Sequence, residues 1–118
     1  MYHKFWFAWV EGSIHDLYMQ VIHYGRWIGK VEAEPTNDGG LDLIDVFIAD
    51  RRLRGRGLGS EMMKCLIKEA RRRNIRYIWG AISPDEGTTK EQLIKFYRKH
   101  GFAVSEDEKG EHSILLKL

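Results

Sequence analysis

Arg54-Gly55-Arg56-Gly57-Leu58-Gly59-Ser60 decides how this chain is read. Directly upstream runs Leu41-Asp42-Leu43-Ile44-Asp45-Val46-Phe47-Ile48, apolar and β-branched enough to form a strand. Directly downstream, Leu58, Met62, Leu66 and Ala70 recur every four residues, with Met63 and Ile67 on the same face. That spacing predicts a helix beginning at the glycines. Strand, glycine turn and helix in this order put the first unpaired N–H groups of the helix, and the positive end of its dipole, at residues 55–60. Glycines let a bulky anion approach that backbone, so the turn suits a phosphate or diphosphate, with Arg54 and Arg56 adding formal charge. A glycine turn without any ligand is the plainer alternative, and the loop alone does not choose between them.

Spacing narrows the loop's identity. A Walker loop needs Gly-Lys-Ser/Thr after a four-residue gap, and a dinucleotide fingerprint needs Gly-x-Gly-x-x-Gly; neither is present. Arg54, Gly57 and Gly59 instead fit Arg/Gln-x-x-Gly-x-Gly/Ala. On these residues the chain resembles the GNAT superfamily of acyl-coenzyme A-dependent N-acyltransferases, whose equivalent loop binds the coenzyme A diphosphate. A second stretch, Phe96-Tyr97-Arg98-Lys99-His100-Gly101-Phe102, resembles the second signature of that family, a helix carrying Phe/Leu-Tyr and closing with Gly-Phe. One helix and one strand separate the two motifs, as in the family. The resemblance spans residues 41–104. Lys90 stands where an Asn is common, and Arg51 where a Pro is common.

The resemblance implies an α/β (α+β) fold in one domain over residues 1–118, with a mixed central sheet and acetyl-coenzyme A as co-substrate. Arg54 to Ser60 (Gly55, Arg56, Gly57, Leu58 and Gly59 between them) would hold the diphosphate. A backbone N–H at Ile48 or Ala49 would serve the thioester carbonyl. Tyr97 would act as hydrogen-bond donor or general acid to the leaving sulfur; its reference pKa of about 10 exceeds the roughly 8.5 of a thiol, so complete transfer is uphill. A core tyrosine on the apolar stripe is the competing reading. No metal is implied. The base is less defined: Asp42 and Asp45 alternate onto opposite faces of the strand, Glu32 and Glu34 share one face, and Asp45 is the first choice. His23 and His100 read as structural.

Around these motifs the chain is short. Its 118 residues leave room for one domain, and 4 Trp, 5 Tyr and 5 Phe can fill one core. A net charge of +2 gives little pull toward nucleic acid or membrane. Ten of the 19 Lys and Arg do fall between Arg51 and Arg76, which invites a nucleic-acid reading. Lys64, Lys68, Arg71 and Arg72 are better placed on the solvated face of the predicted helix. One cysteine, Cys65, cannot close an internal disulfide and fits a reducing cytosol. No apolar run is long enough to span a bilayer, and the aromatic N-terminus lacks a cleavage signature, so a cytoplasmic protein is expected.

Taken in order, residues 4–11 and 17–24 read as strands joined near Glu11-Gly12-Ser13. Residues 27–33 read as a third strand after a turn at Tyr24-Gly25, and residues 41–48 complete an antiparallel meander. Alternating aromatics suggest that the first strand is covered on both faces; it could also pair across a homodimer. Residues 75–82 read as a parallel strand apolar on both faces, with Gly80 marking a bulge or a close approach. Thr88 or Thr89 caps a second helix whose stripe is Leu93, Phe96, Tyr97 and His100, and Gly101 ends it. Residues 102–105 and 113–118 then form a hairpin. Only six positions separate Glu11 from Leu17, so the helix pair usual between the first two strands of the family has no room. The acceptor side should be open, or completed by a second subunit, and the amine can be a small molecule or a peptide. A coenzyme A-binding regulatory module without turnover is the alternative function, and a nucleic-acid-binding domain a more distant one.

Overall fold

Four strands, β1 (Phe5–Trp9), β2 (Leu17–His23), β3 (Arg26–Pro35) and β4 (Leu41–Ile48), run as the expected antiparallel meander. The computed structural model describes residues 5–9, 17–49, 57–84 and 88–118. The turn predicted at Glu11–Ser13 and the Arg54–Arg56 part of the glycine loop lie outside the described residues. Then come α1 (Leu58–Arg72), β5 (Tyr77–Ala81), α2 (Lys90–Lys99), β6 (Ala103–Glu106) and β7 (His112–Lys117). Across the sheet the order is β1-β2-β3-β4-β5-β7-β6, and β4 with β5 is the parallel pair. The hairpin thus closes the sheet with β7 inside and β6 at the edge.

Local chemistry sets the helix limits. Helix α1 stops through Asn74, held at φ 59, with the N–H of Ile75 reaching back to the Ala70 carbonyl at 2.9 Å. Helix α2 starts at Thr89, whose side chain accepts from the Gln92 N–H while Gln92 accepts from the Thr89 N–H. It stops through Gly101 at φ 90, and the N–H of Phe102 donates to the Tyr97 carbonyl at 3.1 Å. The Phe102 ring then meets the Tyr97 ring edge-on, 5.5 Å between centroids. The Gly-Phe ending is therefore a helix stop whose apolar closing contact grips the motif tyrosine.

Both helices pack on one face of the sheet. Leu58, Met62, Met63, Leu66 and Ala70 of α1 join Tyr97 of α2 in a single cluster with Met19, Val31, Leu43, Ile78 and Ile114. Full burial of each Leu or Met is worth about 1.5–3 kcal/mol. The opposite face carries no helix among the described residues. Trp6 is 70% exposed and Trp79 41%. The strands β1 and β5, expected to be covered on both faces, are thus covered on one: Phe7, Trp9 and Ile78 pack inward, and their neighbours do not. The reason is that no described helix packs against the second face. No described helix is long and apolar enough to cross a membrane.

Candidate functional site

The site begins where two strands part. Strands β4 and β5 pair over three residues only, Leu41 with Ile78, Asp42 with Trp79 and Leu43 with Gly80. Gly80 favours close approach: a Cβ there would stand a tight 3.1 Å from the Leu43 carbonyl oxygen. Of the two explanations the sequence allowed, close approach is the one observed. Immediately beyond, β4 bulges. Glu32 faces Asp45 and Ala33 faces Leu43, so Ile44 is the extra residue in the β3–β4 ladder, and 48% of it is exposed.

The bulge corrects one expectation. Simple alternation puts Asp42 and Asp45 on opposite faces, but the inserted residue shifts the phase by one. Asp42 pairs across the ladder with Glu34 and Asp45 with Glu32, so all four carboxylates share the helix-free face. Lys30 reaches Glu32 at 3.9 Å and Asp45 at 3.8 Å.

The parted strands leave a slot through the sheet. On the helix face it opens into a cleft of about 560 Å³ lined by Ile48, Gly57, Gly59, Ser60, Phe96 and Lys99 among others. On the open face it becomes a hollow of about 460 Å³ bordered by Ile44, Asp45, Phe47, Ala81 and Ser83. Four side chains line both: Val46, Thr88, Leu93 and Tyr97. A larger hollow, about 820 Å³, lies at the far end of α1 around Asn74, Arg76 and Lys117. It holds none of the motif residues, and the slot is the chemically equipped one.

Tyr97 is 9% exposed, and its hydroxyl makes no hydrogen bond among the described residues. Burial, with the Asp45 charge as a smaller cause, pushes its pKa from 10.0 up to about 12. The phenol is therefore a firmly protonated donor. Asp45 and Tyr97 line the same hollow, so the predicted acid and base border one passage.

The described part of the glycine loop fits an anion. Gly57 caps α1 at φ 84 without a side-chain cap, and the first backbone bond of the helix is the Glu61 N–H to the Gly57 carbonyl, 3.1 Å. The N–H groups of Leu58, Gly59 and Ser60 have no partner among the described residues. Ser60 Oγ also meets His100 Nε2 at 3.1 Å and Lys99 Nζ at 3.3 Å. Burial and then the charges of Lys99 and Lys64 lower the His100 pKa. That meeting was not legible in the sequence, since 40 positions separate its members.

Of the two carbonyl-binding amides expected, that of Ala49 is taken by the Ile28 carbonyl at 2.7 Å. Strand alternation turns the amides of Val46 and Ile48 the other way, toward the parted edge. Among the described residues no group of His, Cys, Asp and Glu could hold a metal ion. Burial raises the pKa of Cys65, as befits a packed thiol.

Residues 1–102 match the profile of the Acetyltransferase (GNAT) family. No curated protein matches. Among solved structures, the PaiA N-acetyltransferase of Thermoplasma acidophilum in complex with coenzyme A superposes with a TM-score of 0.74 at 14% identity, over 88% of this chain and 62% of that one. The IAA acetyltransferase of Bacillus cereus ATCC 14579 gives 0.73 at 15%, over 88% and 79%. A GNAT family acetyltransferase of Elizabethkingia anophelis with acetyl-CoA bound gives 0.73 at 13%, over 88% and 77%. At such identities the likeness is one of fold.

Proposed function

The chain belongs to the GNAT acetyltransferase family, and from that premise we propose that it moves an acetyl group from acetyl-coenzyme A to a primary amine by direct attack in a ternary complex. One observation carries the reading: a single buried phenol, Tyr97, borders both the cleft on the helix face and the hollow on the open face. Donor and acceptor would therefore arrive from opposite faces and meet in the slot. Holding both there supplies much of the rate by proximity.

The chain's own groups divide the work. The loop from Arg54 to Ser60 would hold the diphosphate, with the α1 N–H groups as donors and Lys99 beside them. Amides on the parted edge of β4, at Ile48 or Val46, would bind the thioester carbonyl oxygen as charge develops there. Asp45, at the open end of the slot, would take the proton from the attacking ammonium, directly or through one water. Tyr97 would donate a hydrogen bond to the leaving sulfur. With a pKa of about 12 against roughly 8.5 for a thiol, it keeps its proton and completes no transfer. The single cysteine suits a cytoplasmic setting, and residues 1–118 would act as one domain.

Incubation with acetyl-coenzyme A and a panel of amines tests the proposal. Free thiol should appear in step with acetylated amine. Tight coenzyme A binding with no thiol released by any amine would favour the regulatory module. Gly57→Val addresses the cradle separately: a β-branched residue is strained at φ 84 and crowds the anion. Calorimetry should show coenzyme A affinity lost while the fold persists; normal affinity would remove the diphosphate from this loop.

A further inference from the structure

We propose that His100 does more than end α2: it is a positioning residue for the cofactor, which through Ser60 aims a hydroxyl at the anion held at the start of α1 and takes up a proton as that anion binds. This rests on the reading of the helix-face cleft as the coenzyme A site, and it makes the grip of that cleft depend on pH.

Three polar side chains from two helices meet at one oxygen. Ser60 stands in the first turn of α1 and lines the cleft, as Lys99 of α2 does. Lys99 Nζ lies 3.3 Å from Ser60 Oγ, and His100 Nε2 lies 3.1 Å from it. An ammonium only donates, so Ser60 Oγ accepts from Lys99. The contact with His100 can run either way. With Nε2 bare, the Ser60 hydroxyl commits its proton to the ring. With hydrogen on Nε2, the ring donates and the Ser60 proton is released to another acceptor. Among the described residues His100 Nδ1 has no partner that would fix one tautomer. An anion in front of the Leu58, Gly59 and Ser60 amides is the acceptor at hand, and the freed hydroxyl gives it one more donor.

Protonation decides the direction. The imidazolium carries hydrogen on both nitrogens, so only the cation always turns the Ser60 hydroxyl outward. On its own that cation is disfavoured, because partial burial and then the charges of Lys99 and Lys64 lower the His100 pKa. Lys99 is its neighbour on α2. Lys64 acts from α1 and is itself 3.4 Å from Glu61. The Phe96 ring stands edge-on, 5.0 Å away between centroids, and among the described residues the strands add no charge to this balance. No described carboxylate pairs with Lys99 or His100. A diphosphate in the cleft supplies the missing negative charge and so favours the imidazolium. The sign follows. A group whose pKa is higher in the complex strengthens binding fully below its free-state pKa, and that gain is lost as pH rises through the value in the complex.

Calorimetry with dephospho-coenzyme A tests the proposal, because this probe keeps the diphosphate and lacks the phosphate monoester, which titrates near pH 6 itself. Titrations in buffers of different ionisation heat count the protons that accompany binding. At about pH 6 wild-type protein should take up a fraction of one proton, and its affinity should fall roughly tenfold between about pH 5.5 and pH 8, the linkage of a one-unit shift. His100→Gln, whose amide donates at every pH, should bind without proton uptake and with a flat profile. Ser60→Ala should flatten the profile while His100 is intact, which neither a purely structural imidazole nor a charge acting through space would do. Proton uptake that persists in either variant overturns the proposal, as does wild-type binding with no uptake, and each of these results leaves the cofactor reading standing. A wild-type protein that binds no probe at any pH overturns both.

Discussion

The two faces of this sheet are made from the same strands and do opposite work. On the helix face, Met19, Val31, Met62, Met63 and Leu66 are wholly buried. On the other face the strands present Glu32, Glu34, Asp42, Asp45 and three large apolar residues that are 41–70% exposed, Trp6, Ile44 and Trp79. One face stores the stability, and the other is the one our proposed function gives to the acceptor. A chain this short holds one core, so a face given to substrate is a face withdrawn from folding.

The largest effect should come from the covered face. Leu66→Ala removes a side chain with 0% exposure from between α1 and the sheet. Such truncations cost about 2–5 kcal/mol, depending on how far the neighbours collapse. Denaturant midpoints would register it, and a change under about 1 kcal/mol would mean that this face is not the core assumed by the comparison.

Next comes the residue that belongs to both sides. Tyr97→Phe keeps the ring contacts with Phe96 and Phe102, 5.3 and 5.5 Å between centroids, and deletes the hydroxyl. If the phenol serves the sulfur, kcat should fall about 10²-fold with coenzyme A affinity little altered. Turnover equal to wild type would return Tyr97 to the core. The hydroxyl has a second signature. Its folded pKa, raised from 10.0 to about 12, means that the neutral phenol is favoured by folding. That contribution is fully present below pH 10 and is lost as pH climbs toward 12, a drop on the order of 2–3 kcal/mol. Wild type should show this loss in alkaline melts, and Tyr97→Phe should not.

What could be read in the sequence tracks how local the signal is. The Leu58–Ala70 periodicity, the Thr89 cap and the Gly101-Phe102 stop are decided within a few residues, and all appear as expected. The two motifs come together as expected too, because a strand–helix–strand unit has few ways to fold. The failure at Asp42 and Asp45 has a clear origin. A bulge exists only in the pairing of two strands, and nothing in Leu43-Ile44-Asp45 announces that Ile44 will be skipped. Coverage of β1 and β5 differs from expectation for a related reason: apolar alternation records what a strand can bury, while exposure depends on whether a partner layer exists. The contact of His100 with Ser60 belongs to the same class of tertiary facts.

The smallest predicted effect cuts most sharply between the faces. Ile44→Ser is by chemistry a severe change, an aliphatic side chain to a hydroxyl in the middle of the central strand. Made at Leu66 it would bury an unsatisfied hydroxyl and leave a cavity. At the bulge the side chain is 48% exposed on the helix-free face, so solvent can satisfy the hydroxyl and little packing is lost. Stability should move by no more than about 0.5 kcal/mol, the range of ordinary surface substitutions. The same variant borders the hollow beside Asp45, so KM for the amine should respond more than the melting temperature does. A large loss of stability would mean that something packs on this face in solution, and the open acceptor side would then be a covered one.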